Sequence, residues 1–332
     1  MTARRRELAR ADRVLPGLWR LRLPLPWPGV PHGNAYAIAA GDGVVLVDTG
    51  LHEPGSMRQL ELALDQAGLR VEHVRLVVCT HAHSDHYGQA APVLARSGSE
   101  LWMHPNHAHM TKAAEDPKRA FERRFEIARQ SGVPVEALEA YREARGEDKF
   151  GIAEIVMPDR DLVPGVELAT DLGTWEVYET PGHAPSHVVL HQPERGLLLS
   201  GDHLLGRVSL YYDFGYTPDP AGEFLNSLDV VDQLEVQLIL AGHGRPVREA
   251  RALTAANRRT ITERMERIRT ALASGPRTAF DVVPEMWADV DLPRPMMIGW
   301  GLTEALCYLT HMALAGAVER VDGEDPERWR LV

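Results

Sequence analysis

Thr80-His81-Ala82-His83-Ser84-Asp85-His86 puts three imidazoles and a carboxylate into seven residues, directly behind the apolar run Val74 to Cys79. Neutral imidazole and carboxylate suit zinc and related divalent cations, and a set of three protein ligands with one position left open makes a reactive site. Four such groups on one loop exceed what one open site needs, so the stretch reads as feeding two metals. The β-branched content of Val74 to Cys79 predicts a buried strand, and Ser84 or Asp85 is placed to cap a helix that begins as the loop ends. The donors then stand at the C-terminal end of a strand. There His81 and His83, two residues apart, project to one side of extended backbone, while Asp85 and His86 turn toward a second position.

Three later segments repeat the pattern of one ligand-type residue just beyond an apolar run. Thr180-Pro181-Gly182-His183 follows Thr174 to Tyr178, Ser200-Gly201-Asp202 follows Gly196 to Leu199, and Ala241-Gly242-His243-Gly244 follows Val236 to Leu240. Small residues beside each candidate allow the sharp turns and close backbone approach that a converging metal shell requires.

Together with Val47-Asp48-Thr49-Gly50, the His81 to His86 loop, His183, Asp202 and His243 resemble, in order, the motifs of the metallo-β-lactamase-fold hydrolases. That superfamily includes glyoxalase II, lactonases and the β-lactamase-like endoribonucleases, and the resemblance covers about residues 14 to 247. It implies an α/β fold, the αββα sandwich of two sheets with helices outside. It also implies that His81, His83 and His183 hold one metal, that Asp85, His86 and His243 hold a second, and that Asp202 bridges them. Asp48 has no ligand role in the family and supports the histidine loop through hydrogen bonds. Two divalent ions are expected, zinc first, with iron and manganese accepted by the same donors. His187 and His203 are expected to border the site. With the seven family positions filled, His104, His107 and His109 read as solvated loop residues.

The activity implied is metal-dependent hydrolysis of a thioester, ester or lactone by a hydroxide shared between the metals and oriented by Asp85. Three alternatives stand beside it: a phosphodiesterase or ribonuclease of the β-lactamase-like endoribonuclease type, a mono-iron persulfide dioxygenase, and a non-catalytic binding protein stabilised by its metals. Fold alone does not choose among them.

Composition narrows the partners. The formal charge of -11 disfavours a general nucleic-acid surface or attachment to anionic membrane and leaves a small-molecule substrate as the expected partner. No apolar run is long enough to span a bilayer. Met1 to Arg13 has arginines but no following apolar region, and the two cysteines imply no disulfide framework, so a cytoplasmic location is expected. A homodimer is left open.

The 332 residues divide into a catalytic unit at 1–247 and a helical region at 248–332, which resembles the winged-helix-like C-terminal part of the β-lactamase-like endoribonucleases. Alternating Leu18 to Leu23, Ala35 to Ala39 and Val44 to Val47 read as strands, and Met57 to Ala67 as an amphipathic helix. A helical insertion at 106–149 separates two ligand segments, as a lid would. The stiff run Pro24 to Pro31 and the aromatic run Leu210 to Tyr216 offer Trp27, Tyr211 and Tyr212 as substrate-wall residues. In the last region, Leu253 to Ala273, Thr278 to Trp287 and Gly301 to Leu314 read as helices, followed by a hairpin from Val318 to Leu331. Arg258, Arg259, Arg264, Arg267 and Arg269 could face phosphate, but acidic residues interleave with them, which favours packing against the catalytic unit or a dimer partner.

Overall fold

In Val44-Val45-Leu46-Val47 successive side chains enter two different cores. Val44 and Leu46 pack under helices, whereas Val45 and Val47 face a second sheet. The neighbouring strand does the same, with Ala35 and Ala37 on one side and Tyr36 and Ile38 on the other. This period of two fixes the register, because a one-residue slip would exchange the two faces, at about 1.5–3 kcal/mol for each buried aliphatic side chain exposed.

The computed structural model describes residues 8–27, 29–145, 150–290 and 296–332. The first sheet runs in chain order, β1 (Arg10–Leu15), β2 (Leu18–Trp27), β3 (Val30–Ala40), β4 (Gly43–Val47), β5 (Val74–Cys79), β6 (Glu100–Met103) and β7 (Arg160–Asp161). It is antiparallel as far as β4 and parallel beyond. The second sheet has the order β12-β11-β10-β9-β8, from β8 (Glu167–Thr170), β9 (Gly173–Glu179), β10 (Val188–Gln192), β11 (Leu197–Gly201) and β12 (Leu238–Ala241). Only its β11–β12 pair is parallel. Trp175, Leu190 and Leu199 meet Tyr36, Val47 and Val78 between the sheets.

Helices α1 (Ser56–Gln66), α2 (Ser84–Tyr87) and α3 (Ala90–Ser97) follow on the first sheet, and Leu60, Leu64 and Val93 join its outer core. His83, not Ser84 or Asp85, stands at the start of α2, and no side chain caps it. The insertion forms α4 (Ala108–Glu115), α5 (Pro117–Gln130) and α6 (Val135–Arg145), and positions 146–149 of the expected segment lie outside the described residues. So do the first seven residues and Pro28 of the proline-rich run, whose flanks form the β2–β3 hairpin.

On the far side of the second sheet lie α7 (Pro220–Asp232), α8 (Ala250–Leu272), α9 (Val283–Met286) and α10 (Leu302–Leu314). A small sheet of β13 (Arg277–Thr278), β15 (Arg328–Leu331) and β14 (Val318–Arg320) completes the order helix, strand, helix, helix, strand, strand. The expected helix at Thr278 to Trp287 is therefore a strand end, a turn and one helical turn, because Pro284 sits where only a first turn tolerates it. Val189 and Leu198 share one apolar core with Phe224, Ile261 and Leu306, so the C-terminal region packs on the sandwich. Arg258 pairs with Asp229 and Asp232, Arg264 with Glu304, and Arg267 with Asp289. Three of the five arginines considered for phosphate are thus committed to carboxylates. Among the described residues no helix is long and apolar enough to cross a membrane.

Candidate metal centre

All the expected donors emerge from strand ends at one edge of the two sheets. The histidine loop follows β5, His183 follows β9, Asp202 follows β11 and His243 follows β12. His81 Nε2 and His183 Nε2 each lie 3.0 Å from His83 Nδ1, so three buried nitrogens converge. Asp85, His86, Asp202 and His243 form a second convergent group. In it His243 Nε2 is 3.1 Å from Asp85 Oδ2 and 3.2 Å from Asp202 Oδ2, while His86 Nε2 is 3.5 Å from Asp85 Oδ2. Asp202 Oδ2 also stands 3.8 Å from His183 Nε2, so this carboxylate touches both groups.

Each imidazole is held by its remote nitrogen. His81 Nδ1 meets Thr80 Oγ1 at 3.1 Å, His83 Nε2 meets Asp213 Oδ2 at 2.8 Å, and His86 Nδ1 meets Asp48 Oδ2 at 2.8 Å. His183 Nδ1 faces the Tyr211 carbonyl at 3.1 Å, and His243 Nδ1 the His32 carbonyl at 3.0 Å. Such partners fix the ring orientation and leave the other nitrogen as a ligand. Asp48 adopts φ of 62°, rare for a residue with a side chain, and its carboxylate also accepts the Thr80 N–H at 2.8 Å. That strain at the end of β4 turns the carboxylate under the histidine loop.

His187 acts on Asp202 through the backbone. The Asp202 N–H donates to His187 Nε2 at 3.0 Å, so the neutral ring carries its proton on Nδ1 and donates to Thr180 Oγ1 at 2.8 Å. Burial, then neighbouring imidazoles, holds this ring well below the ordinary histidine range. His203 is buried against Phe224, with ring centroids 4.7 Å apart, and burial lowers it to about 3.

The donor chemistry fits two cations. Burial, then like neighbours, keeps His81 far below its usual range, and burial, then His83, brings His183 to about 4, so both rings are neutral, the form in which an imidazole can hold a metal. His86 Nε2 and Asp202 Oδ1 are buried and face each other at 3.4 Å, a long ion-pair contact, with no closer partner for either atom among the described residues. Buried polar atoms left in this way signal a missing ion or water. Gly242 is needed for the approach, since a Cβ there would lie 2.2 Å from Asp202 Oδ1 and 2.7 Å from His86 Cε1.

His83, Asp85, His183, Asp202 and His243 open onto a cavity of about 1080 Å³. Trp27 and Tyr211 line it, whereas Tyr212 does not: it is fully buried, with its hydroxyl 3.3 Å from that of Tyr308. Its neighbours in sequence are turned toward the site, so Tyr212 faces the core behind them. A second correction concerns His104, His107 and His109, which are buried and not solvated. His109 Nδ1 lies 2.8 Å from Asp213 Oδ2, and its Nε2 lies 2.9 Å from Ser186 Oγ. Asp213 and His109 are site residues that sequence reasoning missed, because an Asp within an aromatic run and a His within a helical insertion carry no spacing signal.

A family model described as "Metallo-beta-lactamase superfamily" matches residues 28–243, more than half of the chain. The "Probable metallo-hydrolase YqjP" of Bacillus subtilis is 27% identical over 317 residues, 92% of each chain. Among solved structures, a metallo-beta-lactamase family protein from Thermus thermophilus aligns with a TM-score of 0.81 and 28% identity, covering 96% of this chain and 100% of its own. A beta-lactamase domain protein from Burkholderia ambifaria aligns with a TM-score of 0.83 and 28% identity, over 97% of this chain and 94% of its own.

Proposed function

The chain belongs to the metallo-beta-lactamase superfamily, and from that premise we propose that it is a binuclear hydrolase of thioesters, esters or lactones. The carrying observation is the pair of convergent donor groups joined by Asp202 at the floor of a large cavity. His81, His83 and His183 would hold one cation, and Asp85, His86 and His243 the other, with Asp202 common to both; zinc suits this set, as do iron and manganese. When bound, such ions lower the pKa of water and polarise an acyl oxygen.

The chain's own groups supply the rest. Asp85 borders the cavity, and despite burial, which opposes it, His86 and His243 keep its carboxylate ionised. It can therefore accept a hydrogen bond from the attacking water and orient it. Asp48 and His187 hold His86 and Asp202 in place, so these two donors are positioned before substrate enters. No side-chain acid is needed for a thiolate leaving group.

The cavity wall argues for the substrate's polarity. Apart from the donors, its charged residues are Arg124, Arg207, Arg245 and Glu53, the reverse of the chain's overall acidity. Leu51, Met110, Phe150 and Trp300 supply apolar surface. An acyl compound with an apolar part and an anionic part matches both. The arginine pairings of α8 weigh against a nucleic-acid substrate.

Elemental analysis of the protein as purified, followed by a panel of neutral and anionic esters and thioesters, tests the proposal. The expected result is two divalent ions per chain, hydrolysis abolished by chelation and restored by metal, and loss of turnover in Asp202→Asn. A single iron with oxygen consumption, or a folded chain that takes up no metal, would overturn it.

A further inference from the structure

The segment Tyr211-Tyr212-Asp213 lies in irregular backbone, yet its three residues grip three different parts of the molecule. The Tyr211 carbonyl faces His183 Nδ1 at 3.1 Å, and the Asp213 N–H donates to the His183 carbonyl at 3.1 Å. The Asp213 carboxylate takes the ring of His83 at 2.8 Å. His183 Nε2 and His83 Nδ1, the nitrogens that face each other at 3.0 Å, are therefore both held from behind by one short segment. Tyr212 is instead fully buried, with its hydroxyl at Tyr308.

What Tyr212 reaches is the C-terminal region. Its hydroxyl meets Tyr308 at 3.3 Å, and the Tyr308 hydroxyl donates to Glu304 Oε1 at 2.7 Å. Glu304 also pairs with Arg264 and accepts from Trp287 Nε1 at 3.0 Å, and the Arg264 guanidinium stands 4.1 Å from the centroid of the Trp287 ring. Helices α8 and α10 thus anchor the peg between the two gripping residues.

A second brace closes from the insertion. Asp213 Oδ2 is shared with His109 Nδ1 of α4 at 2.8 Å, His109 Nε2 meets Ser186 Oγ at 2.9 Å, and Ser186 Oγ accepts the Ala82 N–H at 3.0 Å. Ala82 lies between His81 and His83, so the chain of contacts returns to the loop it started from.

We propose that Tyr211-Tyr212-Asp213 is the positioning segment of the first donor group, held in register by the C-terminal region through Tyr212 and by the insertion through His109. This rests on the metal-binding reading above, and it assigns the appended helices a role at the metal centre in place of one with a nucleic-acid partner. Asp213, His109, Tyr212 and Tyr308 act through the ligands and touch no substrate in this role.

Cobalt(II) titration of the metal-free, full-length protein, followed by visible absorption, tests the inference without using turnover. Asp213→Ala is expected to weaken one of the two cobalt sites about 10- to 100-fold, the usual cost of losing a partner behind a ligand, and to leave the other unchanged. Asp213→Asn should recover part of the loss, because one amide oxygen can still accept from both rings. Tyr212→Phe, which keeps the ring and removes only the hydroxyl, is expected to shift the absorption of the same site and weaken it several-fold. His109→Gln carries the expectation of Asp213→Ala should that variant not fold. Wild-type isotherms and spectra in Asp213→Ala or His109→Gln would overturn the positioning role, and in Tyr212→Phe the coupling to the C-terminal region. Failure of the wild type to bind cobalt would instead sink the metal-binding reading.

Discussion

Gly242→Ala adds one methyl group and is expected to separate metal binding from folding. The new Cβ would stand 2.2 Å from Asp202 Oδ1, 2.7 Å from His86 Cε1 and 3.2 Å from the Gly201 carbonyl carbon. Side-chain carbons do not approach an oxygen closer than about 3 Å, so roughly 1 Å of clearance must be found. The backbone cannot easily give it, because the Gly242 N–H donates to the Gly201 carbonyl at 2.7 Å and the Gly242 carbonyl accepts the Asn34 N–H at 2.7 Å. The Asp202 carboxylate is the free end of a side chain and moves instead, away from positions 3.2 Å from His243 and 3.4 Å from His86. A displacement of about 1 Å at a reacting centre costs on the order of 100-fold in turnover, while overpacking costs about 1–3 kcal/mol in stability.

Gly244→Ala is the matched control. Gly244 has φ of 80°, and a Cβ added there would meet nothing within 4 Å, so the substitution strains the backbone without touching a donor. Its expected cost is about 1–2 kcal/mol of stability, with both metals retained. The assay is metal stoichiometry after dialysis, alongside urea denaturation of the metal-free and metal-loaded proteins. Two tightly held metals in Gly242→Ala, or a larger loss of metal in Gly244→Ala, would refute the reasoning.

Further outcomes follow from the buried charges. Burial raises Glu304, and Arg264 and Tyr308 hold it down. Arg264→Met should raise it further, and a group whose folded pKa is raised gives stability present below the ordinary Glu range and lost as pH rises through the folded value. The deficit of the variant should therefore grow from acid toward neutral pH, to about 3–5 kcal/mol, and a gap between urea midpoints that does not change with pH would contradict this. In the metal-free protein, against burial, which alone would depress it, Asp202 and Asp85 push His243 up to about 10. Metal must then displace a proton, so below that pH affinity should rise about tenfold per unit for each proton released. Calorimetry in two buffers of different ionisation enthalpy measures the release, and heats independent of buffer would count against it.

The ends of the metal-bearing strands are legible in the sequence because each obeys a local rule. A short apolar run marks a strand, and a His or Asp just beyond it beside small residues marks where backbone turns toward a site; His81 to His86, Asp202 and His243 all stand in that pattern. The contacts that hold those donors obey no local rule. Asp213 is 130 positions from His83, and His109 is 77 from Ser186, so sequence spacing says nothing of their meeting. His109 reads as solvated because the seven family positions are filled without it, and its burial is decided by contacts with Asp213 and Ser186 far along the chain. Tyr212 reads as a wall residue because an aromatic run shows mass but not direction. Once Tyr211 and Asp213 turn toward the histidines, the residue between them must face away, and a tyrosine there needs a polar partner in the core. Tyr308 supplies it, which ties α10 to the segment that holds the donors. The site is thus built from strand ends that sequence can announce and braced by helices whose contribution appears only when the chain is folded.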